Sequence, residues 1–169
     1  MSTKNKVNNI TIDFDIGIGE LIPATQEAFR GDGFLVGVRR EEKTGLALFK
    51  KSFSEKIENN LRNEDLFPTE DEVFVVIIQY FASQKEYFRR DIDNLAKTIL
   101  DVLKVRLYRD DSQVRTLLVS KKMEKRITQN FAYIAIKKLN SKQEVDALKI
   151  SGLERSVTMF QELKAKGIL

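Results

Sequence analysis

Two pairs of aspartates, separated by a helix-like segment, are the residues of this chain best suited to chemistry. The first pair is Asp91 and Asp93, and the second is Asp110 and Asp111. Two like unit charges ~4 Å apart repel by ~4 kcal/mol at an effective dielectric of ~20. Gathered carboxylates therefore protonate, stay solvated or bind a cation, and their oxygens are ligands that Mg²⁺ and Mn²⁺ prefer. A divalent metal held there would activate water and bind a phosphate.

The segment between the two pairs has the apolar periodicity of an amphipathic helix, with apolar residues recurring at three- and four-residue steps. Asp93, Lys97 and Asp101 follow one another at intervals of four, so they share the opposite face of that helix. Asp91 then lies at the start of the helix. A strand predicted at residues 114–119 would enter beside it and bring the second aspartate pair close to the first.

The same residues also fit a purely structural interpretation. Aspartate is a good helix N-cap, which by itself explains Asp91. Residues 110–112 have the composition of an ordinary turn. Asp93 and Lys97 then belong to a solvated, ion-paired face that contributes little to stability. Pattern alone leaves both interpretations open.

The composition excludes several classes of catalytic site. The chain contains no histidine and no cysteine, which rules out Ser-His triads, histidine or thiolate zinc sites, and imidazole acid–base catalysis. Any hydrolysis therefore depends on carboxylates, lysine or tyrosine together with a metal.

Length and charge are those of a single globular domain. The chain has 169 residues, 42% of them hydrophobic and 32% charged, and its formal net charge is +4. This length allows a substantial core, and the mild basicity permits nucleic-acid binding without requiring it. Neither a secretory signal nor a stretch of about 18 apolar residues is present in the sequence, so we expect a cytoplasmic protein without membrane contact.

Three short motifs follow one another along the chain: RRDIDNLAK at residues 89–97, LDVL at residues 100–103, and DDSQV at residues 110–114. Their order and spacing resemble the RusA family of Holliday junction resolvases. The resemblance implies a Mg²⁺-dependent, homodimeric endonuclease of DNA recombination and repair, with Mn²⁺ as a substitute metal. Such an enzyme resolves four-way DNA junctions by paired symmetric nicks, as metal-activated water attacks the phosphodiester.

The resemblance also assigns roles to individual residues. It implies that Asp91, Asp93 and Asp111 are catalytic metal ligands, with Asp110 as the adjacent alternative, and that Lys97 is catalytic or contacts the phosphate. The chain departs from the family pattern in three places. It lacks the proline-containing segment expected after the first strand, and residues 105–108 replace a helix-to-aspartate connection that usually contains glycine. Its C-terminal part also extends further than the resemblance leads us to expect.

Three basic residues, Lys85, Arg89 and Arg90, come immediately before the first aspartate pair. A cleft of carboxylates needs nearby cations to admit a polyanion, so we expect these residues to bind DNA together with Lys97. The alternative is a solvated loop. A second basic segment at residues 121–126 could contact the DNA backbone or protect a strand edge by its charge.

The remaining periodicity predicts an α+β fold: a mixed sheet of about four strands with helices packed against it, plus a C-terminal amphipathic helix. The resemblance implies that this fold is RusA-like. Strands are predicted at residues 10–16, 73–81, 114–119 and 130–136. The last two should pair with each other. We expect turns and short strands over residues 17–45, then a helix beginning at Ser52, which has capping-box spacing from Glu55.

From the resemblance and the change in periodicity, we expect a RusA-like endonuclease domain at residues 1–140 and a C-terminal helical extension at residues 141–169. Two other functions remain open: a catalytically inactive DNA-junction-binding protein, and a partner-binding protein acting through the terminal helix. A nucleotidyl or glycosyl transferase using Asp91 and Asp93 is a weaker alternative. The glycines at residues 31–37 do not form a convincing nucleotide-binding loop, so no nucleotide cofactor is expected.

Overall fold

A computed structural model of the chain describes residues 12–24, 36–139 and 153–169. Its helices and strands, in chain order, are β1 Phe14–Ile18, α1 Val36–Asn60, β2 Glu72–Phe81, α2 Gln84–Arg89, α3 Ile92–Leu103, β3 Val114–Met123, β4 Phe131–Leu139 and α4 Leu153–Ala165. Within these residues, four strands form one mixed sheet in the order β1-β4-β2-β3. The predicted α+β class with a C-terminal helix is confirmed.

The central strand β2 is almost wholly buried. It pairs antiparallel with β4 on one side and parallel with β3 on the other. Its sequence is nearly continuously apolar, as a strand covered on both faces requires. The polar residue in its interior, Gln79, is fully buried, and its side-chain amide accepts from the Ile22 N–H at 2.9 Å and donates to the Phe131 carbonyl at 3.1 Å.

The predicted pairing of the third strand with the fourth is wrong, because β2 lies between β3 and β4. Burial explains the arrangement. Seven of the nine residues of β4 from its start are buried without a break, whereas β3 is half-exposed along most of its length. A strand apolar on both faces takes an interior position, and a strand carrying Lys121 and Lys122 is suited to an edge.

Helix α1 begins at Val36, so the turns and strands expected up to residue 45 and the helix start expected at Ser52 are wrong. Phe49, Phe53 and Ile57 of this helix are buried against the sheet. Their burial outweighs Gly45, whose presence in a helix interior costs ~1 kcal/mol relative to alanine. Three sequence-based predictions lie outside the described residues: the start of the first strand at residue 10, the glycine segment at residues 31–33, and the domain boundary at residue 140.

The two faces of the sheet are covered by different helices. On one face, α1 and α3 pack over β1, β2 and β4. On the other face, Phe160 of α4 is buried, and its ring lies 5.3 Å from the ring of Phe131 in an edge-to-face contact. No helix in the described parts of the chain is long and apolar enough to cross a membrane.

Helix α3 ends in a turn that places Val105 in the left-handed region, with φ of 73°. A β-branched residue is disfavoured there, at a cost of ~1–3 kcal/mol. The Val105 side chain is 69% exposed and contributes little packing. The turn therefore stores strain in the helix-to-aspartate connection, where the family that the sequence resembles usually has a glycine.

We expect Val105→Gly to stabilise the protein, because glycine adopts positive φ without a steric penalty. A gain of ~1 kcal/mol corresponds to a rise of ~2–4 °C in Tm for a chain of this size. Thermal unfolding followed by circular dichroism measures it. Val105→Ala is the matched control: it retains Cβ and should gain little. Equal Tm values for the two variants would contradict the strain.

Candidate active site

Four charged side chains line an open depression of about 470 Å³ between α3 and β3. Asp93, Lys97 and Asp101 lie on one face of α3 because they are four residues apart. Asp111 joins them from the turn that begins β3. Apolar side chains, including Leu117 of β3, form the remaining wall. The two aspartate motifs thus contribute to one depression.

The structure brings together only some of the predicted site residues. Asp93, Lys97 and Asp111 line the depression, whereas Asp91 and Asp110 are absent from its lining. Asp91 is the N-cap residue of α3, but its side chain is exposed and makes no capping hydrogen bond. Side-chain capping therefore does not account for an aspartate at this position.

Asp110 has the structural role that its turn sequence suggested. Its side chain accepts from the Ser112 N–H at 3.0 Å, and it lies 2.9 Å from the Lys104 Nζ atom. These contacts hold the pKa of Asp110 well below its ordinary value of 3.8, with the Lys104 hydrogen bond as the largest cause. The same pairing raises the pKa of Lys104.

Gln113, at the end of the same turn, anchors Asp111 to the sheet. Its side-chain oxygen accepts from the backbone N–H groups of Arg109 and Asp110, at 2.7 and 2.9 Å. Its side-chain amide donates to the carbonyls of Thr69 and Asp71, both at 3.0 Å. The glutamine of the DDSQ motif thus ties the turn to the segment that leads into β2.

Three side chains outside the predicted set shape the site. Asp101 lines the depression and forms a 2.7 Å ion pair with Lys50 of α1. Tyr108 donates toward Asp111, and the Lys104 Nζ atom lies 3.6 Å from the same carboxylate. The four-residue spacing pointed to Asp101. Nothing in the sequence pattern pointed to Tyr108 or Lys104, since their contacts depend on the turn at Val105.

The predicted cations before the aspartates lie on or next to a helix rather than a loop. Lys85 and Arg89 belong to α2 and are exposed, and Arg90 is its half-buried C-cap. Lys121 of β3 fixes this helix: its Nζ atom donates to the carbonyls of Tyr87 and Arg90, at 2.8 and 2.6 Å. Lys121 thus holds the backbone immediately before Asp91.

The carboxylates of the depression fit Mg²⁺ in the type of ligand, but they do not form a closed cage. Among the residues that the structure describes, no group of three acidic side chains is arranged to hold a metal ion. Proteins usually bind Mg²⁺ through one or two carboxylates, and water and substrate phosphates complete the shell. Asp93 and Asp111 line the same depression, and they match that number of carboxylates.

Comparison with protein families gives a match to the family model described as Endodeoxyribonuclease RusA, over residues 26–137. The matched range covers more than half of the chain and includes every charged residue of the depression. A search of the curated proteins gives no match.

Asp110→Asn should lower Tm slightly at pH 7, because asparagine retains the cap but loses the charge that pairs with Lys104. The effect is small because the pair is exposed. The folded-state pKa of Asp110 is depressed, so its stabilisation is present above the ordinary value of 3.8 and is lost as pH falls below it. The difference in Tm between wild type and variant should shrink between about pH 5 and pH 2. High salt should reduce it at pH 7. A constant difference across that range would contradict the assignment.

Proposed function

Because the chain belongs to the RusA family of endodeoxyribonucleases, we propose that it resolves four-way DNA junctions by metal-dependent hydrolysis of the phosphodiester backbone. One observation carries this proposal: Asp93 and Asp111, from motifs separated in sequence, line one depression together with Lys97. The proposed biological setting is DNA recombination and repair.

Asp93 and Asp111 are the proposed metal ligands that face the depression. Asp91 is proposed as the third, because its exposed carboxylate has no hydrogen bond or ion pair within the described residues. Asp110 is less suited to this role, since Lys104 and the Ser112 N–H already occupy its oxygens. A bound Mg²⁺ supplies an activated water and neutralises charge on the phosphate.

Lys97 is the proposed cation for the scissile phosphate. The solvated-face interpretation requires Lys97 to pair with its neighbours on α3, but Asp101 instead pairs with Lys50. Lys97 is exposed at the depression and forms no ion pair with any residue that the structure describes. Its ammonium group is therefore available to bind a phosphate oxygen and to stabilise charge that develops there.

Helix α2 is the proposed contact for DNA near the junction. Lys85 and Arg89 project from it as exposed cations, and the Lys121 hydrogen bonds hold the helix against β3. Such contacts position a protein on the phosphate backbone and are independent of base sequence. A rigid attachment lowers the ordering cost of binding.

We further propose a homodimer. Symmetric nicking of a four-way junction requires two equivalent sites, and the described part of the chain supplies one depression with this set of side chains. A two-fold axis relates two such sites most simply.

Cleavage of a labelled four-way junction, with linear duplex of matched sequence as substrate control, tests the proposal. We expect paired symmetric nicks in Mg²⁺ and none in EDTA. Asp93→Asn should slow nicking by ~100-fold or more, since even partners of metal ligands contribute 10- to 100-fold. Glu55→Gln, an equal charge change at an exposed position of α1, is the matched control and should retain activity.

Two outcomes would contradict the proposal that the protein is a nuclease. Tight junction binding by wild type without nicks, in Mg²⁺ or Mn²⁺, would favour the inactive junction-binding protein. If wild type neither binds nor cleaves the junction, a role on junctions is contradicted. A protein partner of α4 would then be the next candidate to test.

A further inference from the structure

The phenol of Tyr108 is fully buried beneath the turn that carries the second aspartate pair. Its hydroxyl oxygen lies 3.3 Å from Oδ1 of Asp111 and 3.2 Å from the carbonyl oxygen of Leu100. Both neighbours accept hydrogen bonds, so the single phenolic hydrogen serves one of them at a time. The hydroxyl is therefore placed between the end of α3 and the carboxylate of Asp111.

The ring of Tyr108 is fixed by its surroundings. It belongs to the core cluster that includes Val102 and Leu103 of α3. Its backbone carbonyl accepts from the Val105 N–H at 2.6 Å. Since both ring and backbone are held, the position of the hydroxyl oxygen is set by the core and not by solvent.

Asp111 itself has little else to fix its side chain. It is exposed and lies in a three-residue 3₁₀ turn, Asp111–Gln113. The Lys104 Nζ atom lies 3.6 Å from Oδ2 but is closer to Asp110, at 2.9 Å. The two oxygens of Asp111 thus have different neighbours: a buried neutral donor at Oδ1, and a shared, exposed cation at Oδ2.

We propose that Tyr108 is a positioning residue for Asp111: its buried hydroxyl holds Oδ1 and thereby presents the carboxylate to a divalent metal at the depression. The inference rests on the proposed function, because it assigns Asp111 the role of metal ligand. Hydrogen bonds from outer partners fix the orientation of a ligand before the metal arrives. Without that bond, Asp111 must be ordered during binding, and affinity falls.

The phenol of a tyrosine keeps its proton at neutral pH, because its ordinary pKa is about 10. The Tyr108 hydroxyl is therefore able to donate a hydrogen bond to Asp111.

Tyr108→Phe removes the hydroxyl and retains the ring, and Mn²⁺ binding to the full chain without DNA is the direct test. The electron paramagnetic resonance signal of free Mn²⁺ measures the fraction bound. We expect the Kd for Mn²⁺ to rise by ~10-fold, the lower end of the range for loss of an outer partner. In the junction assay, the Mg²⁺ concentration giving half-maximal rate should rise similarly, while the rate at saturating Mg²⁺ changes by less than ~3-fold.

Tyr133→Phe is the matched control. Tyr133 is equally buried, and its hydroxyl also donates to an aspartate, Asp15, at 3.1 Å, but neither residue lines the depression. We expect this variant to retain wild-type affinity for Mn²⁺, even where its loss of Tm matches that of Tyr108→Phe. Equal losses of affinity in both variants would overturn the inference, since general destabilisation would explain them.

Asp111→Asn separates this inference from the function on which it rests. If Mn²⁺ binding is lost in Asp111→Asn but unchanged in Tyr108→Phe, the metal site stands and the positioning role is overturned. If wild type binds no Mn²⁺, the proposed metal site and the positioning role are both overturned.

Discussion

The parallel pairing of β2 with β3 is the constraint on which the candidate site depends. Two neighbouring parallel strands cannot be joined by a tight turn, so the chain must cross over between them. Here the crossover spans residues 82–113 and contains α2, α3 and the aspartate turn. Val73 pairs with Val114, so Asp111 enters beside the start of β2 while α3 lies over β3. The topology thus brings two separate motifs to one depression.

Lysine side chains neutralise two of the carboxylates around the depression and leave its other charged groups available to bind a metal or a phosphate. Lys50 pairs with Asp101, and Lys104 pairs with Asp110, so two of the local carboxylates have a cation within 3 Å. These pairs are exposed and contribute little to stability. Within the part of the chain that the structure describes, Asp93 and Lys97 are then the charged groups of the α3 face that line the depression without an ion pair.

The sequence was informative where one local pattern decided the structure. Continuous apolar residues predicted β2, and the three- and four-residue steps predicted α3 together with the shared face of Asp93 and Lys97. The strand order was predicted incorrectly because it depends on which strands are buried on both faces. Burial places β4 in the interior of the sheet and β3 at its edge, with β2 between them. The early start of α1 was missed because Gly37 and Gly45 weaken a local helical signal that packing against the sheet restores.

The contact between Tyr108 and Asp111 could not be predicted, because it depends on a turn that breaks a local rule. Val105 adopts a conformation that costs ~1–3 kcal/mol for a residue of its type. The turn nevertheless directs Leu107 and Tyr108 inward, and both are fully buried. Burying one large apolar side chain contributes ~1.5–3 kcal/mol, so two such residues offset the strain. The conformation that is unfavourable at Val105 is therefore maintained by the same burial that places the Tyr108 hydroxyl beside Asp111.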